Sequence, residues 1–408
     1  MDERFVVAGV AHVRSSWFAQ VAAWASGGVS AIEFVKCVSV AELRARIRAG
    51  VALSAALVDA SVSGVDRDLL TVATEAGIAV IVVADPRASR DWRALGAAAI
   101  LPPAFTTDDL LTTLGATATP VGHRAVRSAA DVVAEPPLAN WFRGNVIALC
   151  GRGGAGTSVA SMALAQGLGA TYGSTCLADW TLNGDLAAYH DAVDVIPAVP
   201  ELIDAHRTAV PERHTIEAML HHVESRHYAL LLGVRSRRDW VALRPNAVAA
   251  TLASLCGMFR WTVCDITADL ESESETGSTE IDDRHALAHS AIDIAHLVVV
   301  VATPTLKGVR DVVGLIDDLG RLGVATARIQ VLVNRAPRNP RVRAEVTRTI
   351  SDLSQSTLER TPIFLAERRG MELLHRCADR LPSQMTVPLA TAIAGIISPT
   401  ALVQAAER

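Results

Sequence analysis

The sequence predicts an α/β protein built from two parallel-sheet domains, and three features predict it. Along the first 115 residues, apolar runs of strand length alternate with amphipathic stretches every ~20 to 25 residues. From residue 144 onward, near-continuous apolar strands recur between helical stretches, the pattern of strands covered on both faces. One of those strands runs into a glycine-rich turn and then a helix.

Five βα units are expected in residues 1–115. Their strands fall at 5–10, 31–37, 52–59, 79–84 and 97–101, and their helices near 16–25, 41–48, 66–76, 90–95 and 107–114. Residues 116–143 hold Pro120, Pro136 and Pro137 and show no clear period, so they read as a linker. The second domain, 144–408, has its apolar strands at 146–150, 228–232, 261–264, 297–302 and 329–333.

Composition narrows the function. The chain has 408 residues, 50% hydrophobic and 20% charged, enough for real cores and too apolar for disorder as the main state. A net charge of -5 gives no global drive towards nucleic acid, and no direct nucleic-acid partner is expected. The six cysteines form no CxxC pair, which argues against a disulfide framework or a zinc-thiolate site and for buried reduced thiols. No basic stretch followed by a long apolar one opens the chain, and segments such as 297–302 are too short to span a bilayer. A cytoplasmic protein is expected, reaching a pole or the inner face of the membrane only through partners. The tail from 387 to 408 has one basic residue, Arg408, and Pro399 interrupts it, so it reads as a packing helix rather than a lipid anchor.

The strongest local signal is NVIALC followed by GRGGAGTSVASMALAQGLGA. Gly151, Arg152, Gly153, Gly154, Ala155, Gly156, Thr157 and Ser158 have the spacing of a P-loop whose lysine is replaced by Thr157. Glycines let backbone N–H groups converge on phosphate, and the following helix start adds partial positive charge. Ser158 is then the candidate Mg²⁺ ligand. Thr157 carries no charge, so affinity for ATP should fall and hydrolysis more so. Only Lys36 and Lys307 are lysines among 38 basic residues, yet a drift from lysine to arginine does not explain a threonine at this position.

The string GRGGAGTS resembles the deviant Walker A motif of the MinD/ParA family, with Arg152 at the signature lysine. Three further segments match in the family's order. CLADWTLNGDLAAYHD puts Asp179 at the switch I aspartate, TVCDITADLES puts Asp265 at the Walker B carboxylate, and LVVVVATPTLKGVRDVVGLIDDLGRLG followed by IQVLVNRAP puts Asn334 at the adenine-recognising position. The segment PIFLAERRGMELLHRCADRLP completes the likeness.

The resemblance implies ATP or ADP with Mg²⁺ as cofactors, Ser158 and Asp265 as metal ligands, and Asp179, Asp265 and Arg152 in catalytic roles. Arg152 would reach the nucleotide of a partner subunit across a sandwich homodimer. Cys264 beside Asp265 is similar in position to the cluster ligands of nitrogenase iron protein, but no second cysteine matches, so a buried strand cysteine is expected.

Residues 1–115 resemble the receiver domain of two-component signalling, with Asp59 at the phospho-acceptor position. Its acidic pair after the first strand is missing from Gly9-Val10-Ala11-His12, and its lysine is missing from Leu101-Pro102-Pro103-Ala104, so the domain reads as degenerate. A receiver-like domain ahead of a MinD-like domain resembles the CpaE/TadZ proteins of Flp (Tad) pilus assembly and their actinobacterial septum-site-determining branch. That implies a positioning or assembly factor with pilus, secretion or cell-division proteins as partners. Three alternatives remain open: an ATP-dependent enzyme of the same superfamily, a response regulator with a P-loop output domain, and a nucleotide-independent scaffold.

Overall fold

The computed structural model describes residues 4–12, 15–27, 31–87, 90–121, 144–192, 196–354, 358–368, 371 and 379–397. The linker expected at 116–143 therefore lies mostly outside the described residues, as do Cys377, Pro399 and Arg408. The chain forms two compact units, one of Met1–Ala139 with Ala205–Pro211 and the other of Asn140–Asp204 with Glu212–Arg408.

The first unit is a five-stranded parallel sheet. Its strands are β1 (Phe5–Val10), β2 (Ile32–Lys36), β3 (Ala55–Asp59), β4 (Ala79–Val83) and β5 (Ala99–Leu101), in the order β2-β1-β3-β4-β5. This is the doubly wound order with the chain switching direction between β1 and β3. The helices are α1 (Ser16–Ser26), α2 (Val40–Arg48), α3 (Arg67–Glu75) and α4 (Thr107–Thr117).

Local chemistry sets the helix starts. Ser39 accepts from Glu42 N, Asp66 accepts from Leu69 N, and Thr106 forms a capping box with Asp109. Strand residues alternate between two cores, Ala8, Val10, Ala56 and Val58 on one face and Val7, Ala55 and Leu57 on the other.

One expected element is replaced. Residues 90–96 form hydrogen-bonded turns instead of a helix, closed by Leu95 N to Asp91 O and Ala97 N to Trp92 O. Trp92 and Leu95 are buried at helical spacing, but Gly96 follows at φ +107° and the stretch is too short to repay helix nucleation. The receiver-like fold thus has five strands and four helices among the described residues.

The second unit is an eight-stranded sheet. It contains β6 (Asn145–Cys150), β7 (Thr175–Trp180), β8 (His221–Val223), β9 (Tyr228–Leu231), β10 (Trp261–Ile266), β11 (Leu297–Ala302), β12 (Ile329–Ala336) and β13 (Ile363–Ala366). The order is β13-β12-β11-β6-β10-β7-β9-β8, with β8 alone antiparallel to its neighbour. The helices are α5 (Thr157–Tyr172), α6 (Val199–Thr208, whose residues from Ala205 on belong to the first unit), α7 (Arg213–Glu217), α8 (Pro245–Met258), α9 (Glu273–Thr276), α10 (Thr279–Ile294), α11 (Leu306–Arg321), α12 (Pro340–Leu353) and α13 (Ser383–Ile397).

Strand β6 is central and buried on both faces: Val146, Ala148 and Cys150 enter one core, Ile147 and Leu149 the other. Helix α13 packs on α5 through Leu389, Ala390 and Ile393, and a Cβ at Gly167 would lie 2.3 Å from Thr386 O. No helix among the described residues is long and apolar enough to cross a membrane. Cys37, Cys150, Cys176 and Cys264 are buried free thiols, and Cys256 is half-buried.

Candidate functional site

The glycine loop sits where β6 ends and α5 begins, at the carboxyl end of the sheet, flanked by β10 on one side and β11 on the other. In open α/β sheets such a switch point is where ligands bind. Two of its glycines are required by geometry. A Cβ at Gly151 would lie 2.5 Å from Thr157 Oγ1 and 2.8 Å from Val301 O. Gly156 has φ +84°, and a Cβ there would lie 2.4 Å from Asn334 Nδ2. Gly156 is also the N-cap of α5, so no side chain caps the helix, and its first turn faces the loop with its partial positive charge unanswered.

The loop borders a cavity of ≈ 840 Å³. Residues Gly151 to Ser158 all line it, and so does Asp265 at the end of the neighbouring strand β10. Ser161 Oγ donates to Asp265 Oδ1 at 3.3 Å, and the Ser158 hydroxyl lies close enough to favour the charged form of Asp265. Asp265 is 3% exposed, and burial, then the charge of Asp179, push it up to about 7. The structure thus brings together the loop, Ser158 and Asp265.

Asp179 sits differently. It is the register partner of Asp265 on β7, but its side chain does not line the cavity. Thr181 Oγ1 donates to Oδ1 at 3.0 Å and Leu186 N to Oδ2 at 3.3 Å. The α-carbons of Gly184 and Gly233 crowd the same carboxylate: a Cβ at Gly184 would lie 1.8 Å from Oδ2. Burial pushes Asp179 up to about 6 against those hydrogen bonds. In this arrangement Asp179 organises the loop after β7.

Asn334 also lies behind the loop and does not line the cavity. Its Nδ2 donates to Ala155 O at 2.9 Å, and its Oδ1 accepts from Arg335 N at 2.9 Å. Arg152 lines the cavity, but its guanidinium pairs with Asp318 Oδ2 on α11 at 3.1 Å. Both partners are partly exposed, and such a pair is worth about 0–1 kcal/mol, so a phosphate can compete for the arginine.

Sequence reasoning missed four other cations. Arg237, Arg238, Arg284 and Arg335 line the cavity, brought there from a 3-10 turn, from α10 and from the end of β12. Arg335 adopts φ 52°, left-handed for a residue with a Cβ, at the cavity wall. Only its place beside Asn334 hinted at this. Lys307 lines a smaller cavity of ≈ 130 Å³ that shares Arg152 to Ala155 with the loop, and it pairs with Asp311 at 2.6 Å.

In the first unit, Asp59 ends β3, 7% exposed, and its carboxylate is engaged. It accepts from Ser15 Oγ, from Trp17 Nε1 at 3.2 Å, and from Ser61 N and Oγ at 2.9 and 2.7 Å. Burial alone would raise its proton affinity, but the hydrogen bonds together outweigh burial and hold it below its ordinary value.

No protein-family model matches the chain, and no curated protein matches it. Solved structures do resemble it. A ParA family ATPase from Chlorobium tepidum shares 15% identity over 65% of this chain and 98% of its own, with a TM-score of 0.47. The septum site-determining protein MinD of Pyrococcus horikoshii, complexed with Mg-ADP, shares 16% over 63% of this chain and 98% of its own, TM-score 0.47. A plasmid partition protein from Borrelia burgdorferi bound to AMPPNP shares 13% over 62% of this chain and 98% of its own, TM-score 0.46.

Proposed function

We infer that the second unit is a nucleotide-binding P-loop domain of the MinD/ParA kind, acting as a positioning or assembly factor. The observation that carries this reading is the glycine loop, the helix start without a side-chain cap, and Ser158 and Asp265 all lining one cavity at the end of the central strand. The oxygen donors also suit Mg²⁺. Asp265 and Asp179 are buried acids whose hydrogen-bond partners are hydroxyls and backbone amides, with no cationic side chain on either among the described residues. Ser158 and Asp265 would hold the ion, which when bound polarises phosphate oxygens.

Thr157 leaves the loop without its usual point charge, so binding survives better than turnover. Arg152 would bind phosphate in this subunit or reach the nucleotide of a second copy in a sandwich dimer. The finer assignment, to CpaE/TadZ-like or septum-site-determining proteins with pilus, secretion or cell-division partners, follows from the resemblance of the two domains in this order. The rival reading is a nucleotide-independent scaffold, and Thr157 is the residue that favours it.

Calorimetry with Mg-ATP and Mg-ADP separates the two. Thr157→Lys should tighten nucleotide binding roughly 10–100-fold, the equivalent of one charge-assisted hydrogen bond. It should also raise turnover. No heat from either protein would sink the nucleotide reading and leave the scaffold.

A further inference from the structure

Beyond β10, Thr267, Ala268 and Asp269 line the cavity, and Leu270 and Glu271 follow them in the chain. Leu270 is 3% exposed and anchors this segment in the core, while Asp269 and Glu271 on either side of it are exposed. His285 of α10 faces them. One ligand atom from each of Asp269, Glu271 and His285 lies within 4.8 Å of the other two.

His285 is 4% exposed, and neither of its ring nitrogens has a hydrogen-bond partner. A buried polar group left unmet is costly, so a retained imidazole without partners calls for a ligand. One helical turn on, His289 has a buried Nε2 that is also unmet, with ring centroids 6.0 Å apart. Its Nδ1 lies 3.9 Å from Asp282 Oδ1.

We propose that Asp269, Glu271 and His285 form a binding site for a divalent transition-metal ion of the zinc type, separate from the oxygen-only Ser158–Asp265 pair. An imidazole nitrogen with two carboxylates selects such a cation over Mg²⁺, which prefers oxygen alone. Zinc–ligand bonds of about 2.0–2.2 Å place ligands ~3.3 Å apart in a tetrahedron. The two exposed carboxylates reach that spacing by side-chain rotation. His289, at i+4 on the same helix face, or water takes the fourth position. Arg284 is the nearby cation, and the two carboxylates outnumber it. Burial lowers the proton affinity of His285, which keeps the ring in the neutral form a metal requires. The ion would clip the segment after Asp265 to α10 and so stiffen one wall of the cavity, whether or not nucleotide binds.

Untagged full-length protein, freed of metal by EDTA dialysis, is titrated with Zn²⁺ against a chromogenic chelator, and bound metal is counted by mass spectrometry. One equivalent is expected, not displaced by millimolar Mg²⁺. Co²⁺ in its place should give visible d–d bands. His285→Ala and the pair Asp269→Asn with Glu271→Gln should each weaken zinc by more than the roughly 10–100-fold that loss of an outer-shell partner costs. The carboxylate pair changes only exposed side chains, so its loss of zinc is not a folding defect. Uptake below one equivalent, displacement by Mg²⁺, or uptake unchanged in both variants overturns the site.

Discussion

Raising the pH should weaken the second unit, and Asp265→Asn should remove most of that weakening. The folded-state carboxyl titrates near 7 instead of 3.8, because it is buried and faces Asp179. The unfolded chain releases this proton near 3.8, so between about pH 4 and pH 7 the folded state holds more protons than the unfolded state. The stability from this group is therefore complete below the unfolded value and is lost as the pH rises through the folded one. The gap is roughly three pH units, which at about 1.4 kcal/mol each is on the order of 4 kcal/mol. Asp179, raised to about 6, acts in the same direction, but its charge is already part of the Asp265 shift and the two do not simply add. Asparagine keeps the shape and the acceptor for Ser161 while removing the charge. The assay is urea denaturation at about pH 5 and pH 8 in EDTA, with amide exchange of β7 and β10, corrected for intrinsic rates, to locate the loss. The wild type should lose stability at the higher pH and recover it with Mg²⁺; the variant should be flatter and, without metal, the more stable of the two there. A wild type that is equally stable at both values, or a variant that declines as steeply, would refute the acid-pair account.

Two further outcomes are expected. Asn334→Ala removes the donor to Ala155 O and leaves that carbonyl unmet, so the second unit should lose about 1–3 kcal/mol and exchange of the amides from Gly151 to Ser158 should accelerate; protection unchanged from wild type would contradict the role of Asn334 as a brace. Acetyl phosphate with Mg²⁺ should give no phosphoryl adduct on the intact protein by mass spectrometry, because the Asp59 carboxylate is engaged by Ser15, Trp17 and Ser61, and an adduct that disappears in Asp59→Asn would restore the phospho-acceptor reading.

Much of the fold was legible because strand and helix periods are local. The buried run LVVVVA reads directly as β11, and the switch from NVIALC to glycines marks the end of β6. The turn at 90–96 was not legible, since Trp92 and Leu95 mimic one turn of helix and only the shortness of the stretch and Gly96 decide otherwise. In the site, Ser158 and Asp265 were readable because one lies in the loop motif and the other ends a strand adjacent to it. The surroundings of Asp179 were not legible, for a physical reason. The pattern places it at a strand end, but the direction of its carboxylate is fixed by Thr181, Leu186, Gly184 and Gly233, two of them on the far side of the loop and one after β9. Arg237 and Arg238 carry no local pattern, and Arg335 only its place beside Asn334, because only the closure of the sheet brings their segments to one cavity.

If the second unit binds nucleotide as proposed, those arginines bear on what threonine instead of lysine at 157 would do to the chemistry. The cavity does not lack positive charge; Arg152, Arg238 and Arg335 all reach its wall. What it lacks is positive charge fixed in the loop itself. A lysine in the first turn of α5 would be held by the helix, whereas Arg152 is part-exposed and tied to Asp318, a pair that must open before the guanidinium meets phosphate. Ground-state binding tolerates a charge that arrives by rearrangement, because the cost of breaking such a surface pair is about 0–1 kcal/mol. Lowering a barrier depends on charge already oriented where it develops, and removing one such donor typically costs 10²–10³ in rate. A site built this way would therefore keep much of its nucleotide affinity and little of its hydrolysis, which makes occupancy of the cavity, rather than turnover, the quantity a partner could read.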